Sequence, residues 1–327
     1  MRFHRIPGGE YPPRYPIPAL KGENMRFSVV IPIYNKADTV LETVQSVLAQ
    51  HYENREIIVV DDGSQDDLEE ALSSVRANIR LIHQENAGVA AARNRGIRES
   101  TGEYICFLDA DDIWLPEHLT ALSNAIDTEP EACFLSTMFR TTFPDGTVKS
   151  KLPILSECQE VFWVEDYFKM VLDYSTTFIH TDSVCIKRSL FEMFRFEEGE
   201  KVGEDTDLWY RIAAYYPLLF IKNETAIYRR ELSTATAGGT NNLDWAFARR
   251  ESQLVHDEKI TRTKRRHIQL LLDRWRCTCC RQLLAQGNLN EAWQRLKQLR
   301  YPLQKRGLYC AVLCTLPRCL QNKILKK

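Results

Sequence analysis

Residues 27–62 read FSVVIPIYNKADTVLETVQSVLAQHYENREIIVVDD, and this stretch decides the fold. Its ends, Phe27 to Ile33 and Glu56 to Val60, are β-branched apolar runs of the kind that form strands covered on both faces. Between them Val40, Val44, Val47 and Leu48 recur at helical spacing, with Asp38 or Thr39 available as the cap. Together they predict a βαβ unit. A short strand at Ile79 to His83, a helix from about Gly88 to Arg98, a strand at Tyr104 to Leu108 and a helix opening near Pro116 extend the scheme. The alternation predicts an α/β fold built on an open, mostly parallel sheet with flanking helices. Ligands of such sheets bind beyond the carboxyl ends of the strands.

Two acidic clusters sit where that rule places a site. Asp61-Asp62-Gly63-Ser64 and Asp109-Ala110-Asp111-Asp112 each follow a predicted strand, so both face one crevice. Carboxylates this close repel one another, and a divalent metal relieves the repulsion while leaving positions open for phosphate. A solvated acidic turn is the other reading of the residues alone. Asp66 and Asp67 extend the acidity, but neither cluster has the glycine and terminal glutamate of an EF-hand. Pro32, Tyr34 and Asn35 lie where the first strand gives way to a loop. An aromatic ring and an amide there can contact a base or ribose, or the tyrosine can plug the sheet end. Arg93 falls on the helix after Gly88, where it can fork onto phosphate or pair with an acid of the crevice.

Beyond about residue 130 the alternation becomes irregular, with Pro144-Asp145-Gly146 as a hairpin turn, and this half is expected to shape a second binding site. It leads to Glu204-Asp205-Thr206-Asp207, acids that open a helix running to about Tyr216 and that can simply complement its dipole. The C-terminal third reads as a cationic helical hairpin broken at Gly287-Asn288. Leu308 to Leu316 is apolar but too short to span a bilayer. With Arg318, Lys323, Lys326 and Lys327 it reads as a peripheral contact to anionic headgroups or as a packed terminal helix.

The chain of 327 residues is 44% hydrophobic and 27% charged with a formal net charge of -1, which gives no global signal for nucleic-acid binding. Residues 1–24, rich in Pro and Gly, read as a disordered leader. Met25-Arg26-Phe27 repeats Met1-Arg2-Phe3, so Met25 is an alternative start. No apolar run has the length of a membrane span and no signal peptide is recognisable, so a cytoplasmic protein is expected, peripheral at most on the inner face of the membrane. The ten cysteines are expected to be free thiols, with Cys277, Cys279 and Cys280 the cluster to test for zinc.

Four ordered segments carry a family resemblance: Ser28 to Lys36, Ile58 to Ser64, Asn86 to Gly96, and Leu108 to Asp112. Together they resemble the family-2 glycosyltransferases, with Glu204 to Trp209 as a fifth match. The likeness covers roughly residues 27 to 230. It implies a GT-A fold, a nucleotide-diphosphate sugar donor (UDP-sugar favoured), a glycan or lipid-linked saccharide acceptor, a divalent cation and inversion at the anomeric carbon. The catalytic domain would span 25–240, with a donor half 25–130 and an acceptor half 131–240, before a helical extension 241–327.

Carried over by motif, Pro32, Tyr34 and Asn35 line the nucleotide site and Asp62 reads the nucleobase, while Asp61 braces its turn. Arg93 serves the donor site. Asp111 coordinates the cation, with Asp109 on the cation or the ribose and Asp112 supporting the turn. All-oxygen ligation favours Mg or Mn over Zn. Asp205 becomes the catalytic base, with Glu204 as its neighbour and possible substitute. Two departures stand out. Phe194-Arg195-Phe196-Glu197 replaces the family's Gly-Gly-Phe-Asp, and near Tyr228-Arg229-Arg230 a histidine that completes the metal shell in some relatives is absent, so Arg229 or Arg230 is expected at the diphosphate. A sugar-phosphate nucleotidyltransferase is the alternative enzyme class, but Ser28 to Lys36 lacks its glycine-rich loop. A non-catalytic nucleotide-sugar binding module is the third reading.

Overall fold

The computed structural model describes residues 25–150, 152–200, 202–232, 243–301 and 305–315. The expected leader 1–24, the expected boundary at 240 and the cations Arg318, Lys323, Lys326 and Lys327 lie outside the described residues. The chain divides into two compact units, one formed by residues up to Tyr167 with Thr176–Ser233, the other by Phe168–Ser175 with the residues from Thr234 onward.

In the first unit the apolar runs form strands and the helical repeats cross over between them. The strands are β1 (Phe27–Ile33), β2 (Arg55–Asp61), β3 (Arg80–His83), β4 (Tyr104–Phe107), β5 (Ile113–Trp114), β6 (Phe134–Thr142), β7 (Val148–Ser150), β8 (Val161–Val164), β9 (Val184–Lys187) and β10 (Leu218–Arg229). The helices are α1 (Val40–Leu48), α2 (Leu68–Ala71), α3 (Val89–Glu99), α4 (His118–Thr128) and α6 (Glu204–Tyr215), while α5 (Tyr167–Tyr174) belongs, apart from Tyr167, to the second unit. Every residue of β1 is buried, as expected of a strand covered on both faces. Thr39 caps α1 without a side-chain bond to that helix; its hydroxyl donates instead to the Ala110 carbonyl, at 2.9 Å, and so ties α1 to the turn after β4.

The sheet order is β3-β2-β1-β4-β9-β6-β10-β5, with β7 on β6 and β8 on β10. The first four strands are parallel, as the βαβ pattern requires. The second half makes the sheet mixed, because β9 enters antiparallel to both β4 and β6, and β10 then runs parallel to β6. Two reversals cancel. The carboxyl ends of β1, β2, β4, β6 and β10 therefore share one edge, and β9 begins at that same edge. Residues just before Val184 are delivered to the crevice along with those just after Ile33, Asp61, Phe107 and Arg229.

Helix α3 can lie close to the sheet only because Gly96 has no side chain. A Cβ there would stand 2.3 Å from Cγ1 of Val30, which is wholly buried in β1. The loop before β4 is similarly tight at Gly102, where a Cβ would meet the Arg26 carbonyl at 2.6 Å.

The second unit contains α7 (Ala246–Arg249), α8 (Glu251–His256), α9 (Arg262–Ala285), α10 (Leu289–Lys297) and α11 (Lys305–Thr315). Thr261 and Asn288 cap α9 and α10 through their side-chain oxygens, which accept from the backbone N–H groups of Lys264 and Glu291. The expected hairpin of α9 and α10 gains α11 as a third helix. Cys277, Cys280, Leu283, Leu284, Ala292, Leu296, Cys310, Leu313 and Cys314 form their common core. The thiols are free and packed as small apolar groups, with Sγ of Cys280 3.9 Å from that of Cys314. Asp273, nearly inaccessible, accepts from Arg276 Nη1 at 3.1 Å and from the backbone N–H groups of Arg300 and Tyr301 at 3.1 and 2.8 Å, and Arg276 also pairs with Glu251.

Gly96→Ala should destabilise the first unit by about 1–3 kcal/mol, the usual range for an added core methylene with no room to relax; urea unfolding followed by tryptophan fluorescence measures it. Asp273→Ala removes one of the two acidic partners of the buried Arg276 and the acceptor of two N–H groups, and should lower stability by about 1–3 kcal/mol, read as a drop in the thermal midpoint.

Candidate active site

The turn after β4 gathers the acids. Oδ1 of Asp109 accepts from Arg93 Nη2 at 2.6 Å, and the Asp109 N–H donates to Oδ1 of Asp182 at 2.9 Å. Burial raises its carboxyl to a pKa of about 6; Arg93 opposes that rise, and the charges of Asp182 and Asp111 add to it. Asp111 pairs with Lys36 Nζ at 2.8 Å, and the same ammonium donates to the Leu232 carbonyl. Asp109 Oδ2 and Asp111 Oδ1 take no hydrogen bond from any described residue. Asp112 points inward, 1% exposed, with Oδ1 accepting the Arg229 N–H at 2.6 Å. Burial, reinforced by Asp182, lifts its pKa well above its ordinary value.

Across the crevice, Gly203 takes a left-handed conformation at φ 80° and starts α6. Glu204, at the first helical position, is buried and accepts from Arg93 Nη1 at 2.7 Å. Its pKa is raised by burial, then by the neighbouring Asp205. Arg93 thus bridges Asp109 and Glu204 with its guanidinium 5.3 Å from the centre of the Phe196 ring. Burial works against its charge, but Asp109, Glu204 and Asp205 outweigh that and hold its pKa above the ordinary value. Of the two uses open to Arg93, the structure realises the pairing with crevice acids. Asp205 is less enclosed; Oδ2 accepts from the Thr181 hydroxyl at 3.0 Å and Oδ1 from the Thr206 N–H at 2.6 Å. Asp207 points away, fully buried on Arg211 Nε at 2.8 Å.

The loops after β1 and β2 lock together. Asn35 sits at φ 50°, a left-handed conformation in which asparagine is among the most tolerated residues. Its N–H donates to the Ser64 hydroxyl at 3.0 Å, while Oδ1 accepts from the Gln65 N–H at 2.8 Å. Tyr34 is 48% exposed, so it does not plug the sheet, and Pro32 is buried in β1. Asp61 braces its turn by accepting the Ser64 N–H and contacting His83 Nδ1, both at 2.8 Å. Asp62 is 3% exposed; it accepts from Gln84 Nε2 and from the N–H groups of Ala87 and Gly88, at 2.8, 2.9 and 2.8 Å. These bonds shape the loop that starts α3.

Several groups escaped the sequence reading. The segment His180-Thr181-Asp182 before β9 reaches both halves of the crevice, Thr181 holding Asp205 and Asp182 holding the Asp109 backbone. His180 Nδ1 lies 2.7 Å from Asp182, and its ring packs on Tyr228 and Phe139 with centroid distances of 4.4 and 5.0 Å. A histidine missing near Tyr228 in sequence is therefore present there in space. Burial opposes the His180 charge, but Asp182 overrides it and raises the pKa; reciprocally Asp182, despite burial, is held below its ordinary value by His180. The ligand atoms of Asp112, His180 and Asp182 come within 4.8 Å of one another and can geometrically hold a cation. A proton shared from Asp112 to Asp182, with His180 charged, satisfies the same triad. Asp109 and Asp111 keep uncommitted oxygens instead. Arg229 is committed locally, Nε donating to the Asp111 carbonyl at 2.6 Å and Nη1 pairing with Glu42, so it braces the acidic turn.

The family model described as Glycosyl transferase family 2 matches residues 28–194. An uncharacterized glycosyltransferase of Rickettsia felis is 32% identical over 221 residues, covering 67% of this chain and 34% of that protein. Glycosyltransferase GlyG of Streptococcus pneumoniae is 30% identical over 229 residues, 67% of this chain and 75% of GlyG. The chain spans 34%, 46% and 35% of the lengths of the first three curated relatives it matches. Among solved structures, S. aureus TarS 1-349 in complex with UDP-GlcNAc superposes with a TM-score of 0.67 over 92% of this chain and 89% of that one at 16% identity, a likeness of fold. The mixed sheet is thus a GT-A sheet, and the chain belongs to glycosyl transferase family 2.

Proposed function

We propose that the chain is a metal-dependent, inverting glycosyltransferase that moves a sugar from a nucleotide-diphosphate donor to a hydroxyl of a glycan or lipid-linked saccharide. The observation that carries this reading is the Arg93 bridge. One buried guanidinium ties the acid turn after β4 to the acidic start of α6, as a reaction spanning donor and acceptor requires. TarS is a GT-A protein solved with UDP-GlcNAc and with UDP, which supports a UDP-sugar as donor. The catalytic domain is taken as 25–240, with donor half 25–130 and acceptor half 131–240, and the protein as cytoplasmic.

The donor set suits a hard cation. Asp109 and Asp111 offer oxygens only and retain uncommitted ones, a set matched to Mg or Mn. Bound there, the cation would neutralise charge on the departing diphosphate as a Lewis acid. Lys36, already on Asp111, adds a positive group at the same place. Pro32, Tyr34 and Asn35 line the nucleotide side, with the exposed Tyr34 ring available for stacking on a base. Asp62 holds the Gln84–Gly88 loop with three of its roughly four acceptor positions, leaving one for a nucleobase N–H.

Asp205 is the base. Thr181 and Thr206 orient its carboxylate, which takes the proton of the acceptor hydroxyl as that oxygen attacks the anomeric carbon opposite the diphosphate. Glu204, engaged by Arg93, holds the helix start in register. A nucleotidyltransferase lacks support here, since β1 leads into a glycine-free loop. A non-catalytic binding module would have no use for Asp205.

Asp111→Asn should reduce Mn-dependent donor turnover at least about 100-fold, a scale typical of lost electrostatic stabilisation; an unchanged rate and metal response removes Asp111 from the cation site. Asp205→Asn should leave donor binding by calorimetry intact while transfer falls about 100- to 10,000-fold, the range for a lost general base. Undiminished transfer assigns the base elsewhere. Absence of metal-stimulated turnover with every nucleotide-sugar tried would favour the binding module.

A further inference from the structure

Charge is unevenly distributed along this chain. Residues 292–327 contain nine Lys and Arg and no Asp or Glu, whereas the preceding 291 residues carry 34 Lys and Arg against 44 Asp and Glu. The formal net charge of -1 conceals this segregation. A cationic stretch on an otherwise acidic protein is a ready partner for an anionic surface.

Helix α11 lies inside that stretch and is apolar on two sides. Gly307, Cys310, Leu313 and Cys314 are buried, three of them in the core with α9 and α10. On the other side Leu308, Tyr309 and Val312 are 48%, 42% and 57% exposed. At 100° per residue these three occupy one face. Arg281 of α9 lies 5.9 Å from the Tyr309 ring centre, which adds a cation beside the apolar face.

Large apolar side chains with a cation beside them, in a cationic stretch of sequence, match the boundary between lipid headgroups and acyl chains. There the leucine and valine enter the acyl region, tyrosine sits at the headgroup level, and lysine and arginine meet phosphate. A second copy of this chain would carry the same excess of Lys and Arg in its C-terminal sequence, so charge disfavours self-association. An acidic membrane answers both features. No helix of the described residues is long and apolar enough to cross a bilayer, so the contact is to its surface.

We infer that the Leu308, Tyr309 and Val312 face of α11 docks the second unit on an anionic phospholipid surface, with residues 292–327 supplying the electrostatic attraction. The contact is independent of the donor and acceptor proposed above. Each cation near an acidic membrane strengthens binding by roughly fivefold in weak salt, and the gain is screened as salt rises.

The test is sedimentation of the full chain with vesicles of phosphatidylglycerol and phosphatidylcholine against vesicles of phosphatidylcholine alone. Binding to the acidic vesicles should exceed binding to the neutral ones at least tenfold and weaken between 50 and 500 mM salt, in the manner of screened charges (concentrations on the order of those bracketing a Debye length of about 4 to 14 Å). Leu308→Asp with Val312→Asp, both on the exposed face, should reduce acidic-vesicle binding at least tenfold, with unchanged circular dichroism and thermal midpoint. Lys305→Glu with Arg306→Glu should reduce it and flatten the salt dependence. Wild-type protein that stays in the supernatant overturns the proposal. Undiminished binding by the Leu308 and Val312 variant overturns the assignment to this face, and a wild-type dimer that this variant converts to monomer, without vesicle binding, identifies a second copy as the occupant.

Discussion

The Arg93 guanidinium is the interaction on which the crevice depends. A buried cation is tolerable only when anions and hydrogen bonds replace the water it has lost, and removing one partner of such a group typically costs about 3–5 kcal/mol. Arg93 is held by Asp109 from the strand β4 side and by Glu204 from the start of α6, elements that are far apart in sequence. The guanidinium therefore specifies distance as well as charge. Its face lies over Phe196, which packs against Phe107 and Trp209 at centroid distances of 5.3 and 5.4 Å. Asn94, next to Arg93 on α3, exchanges hydrogen bonds at 3.0 Å with the N–H and carbonyl of Phe196, so the segment that departs from the usual family pattern is anchored by its backbone.

A second constraint is the direction of β9. Because β9 opposes both β4 and β6, the chain leaves the crevice at Val184 along β9 and returns to it at Arg229 along β10. Thr181 and Asp182 are consequently placed between the acids of the two halves, one holding the Asp205 carboxylate and the other the Asp109 N–H. Fixing the separation of two carboxylates through adjacent residues of one short segment is an economical form of preorganisation. The buried Asp112, Asp182 and His180 cluster at the same turn, with ligand atoms within 4.8 Å of one another.

The fold was legible because its signals are local. Val29, Val30, Ile31 and Val44, Val47 announce β1 and α1 by periodicity, and Asp61, Asp62, Asp109 and Asp111 declare the carboxyl edge by following strands. Lys36 was visible as part of the first motif, but no local pattern pairs it with Asp111 across 75 positions. His180 was overlooked for the same reason. Its segment has no glycine, acid pair or strand immediately before it that marks a site, and only the placement of Val184–Lys187 between β4 and β6 brings it to Tyr228. The apolar run Leu308 to Leu316 could be read as a membrane contact or as a packed terminal helix, and only the packing of Cys310, Leu313 and Cys314 on α9 and α10 shows the helix joining their core.

The sequence by itself determined the strand and helix alternation, the parallel start of the sheet, the acidic edge and the family, because these rest on hydrophobic period, β-branching and the spacing of neighbouring residues. Only the tertiary structure decided the mixed sheet, the use of Arg93 as a bridge, the commitment of Asp62 to its own loop and of Arg229 to the acidic turn, and the arrival of His180 and Thr181 at the crevice. Those depend on pairings between distant segments, where burial removes water and each polar group must take whichever partner the packed chain brings within reach.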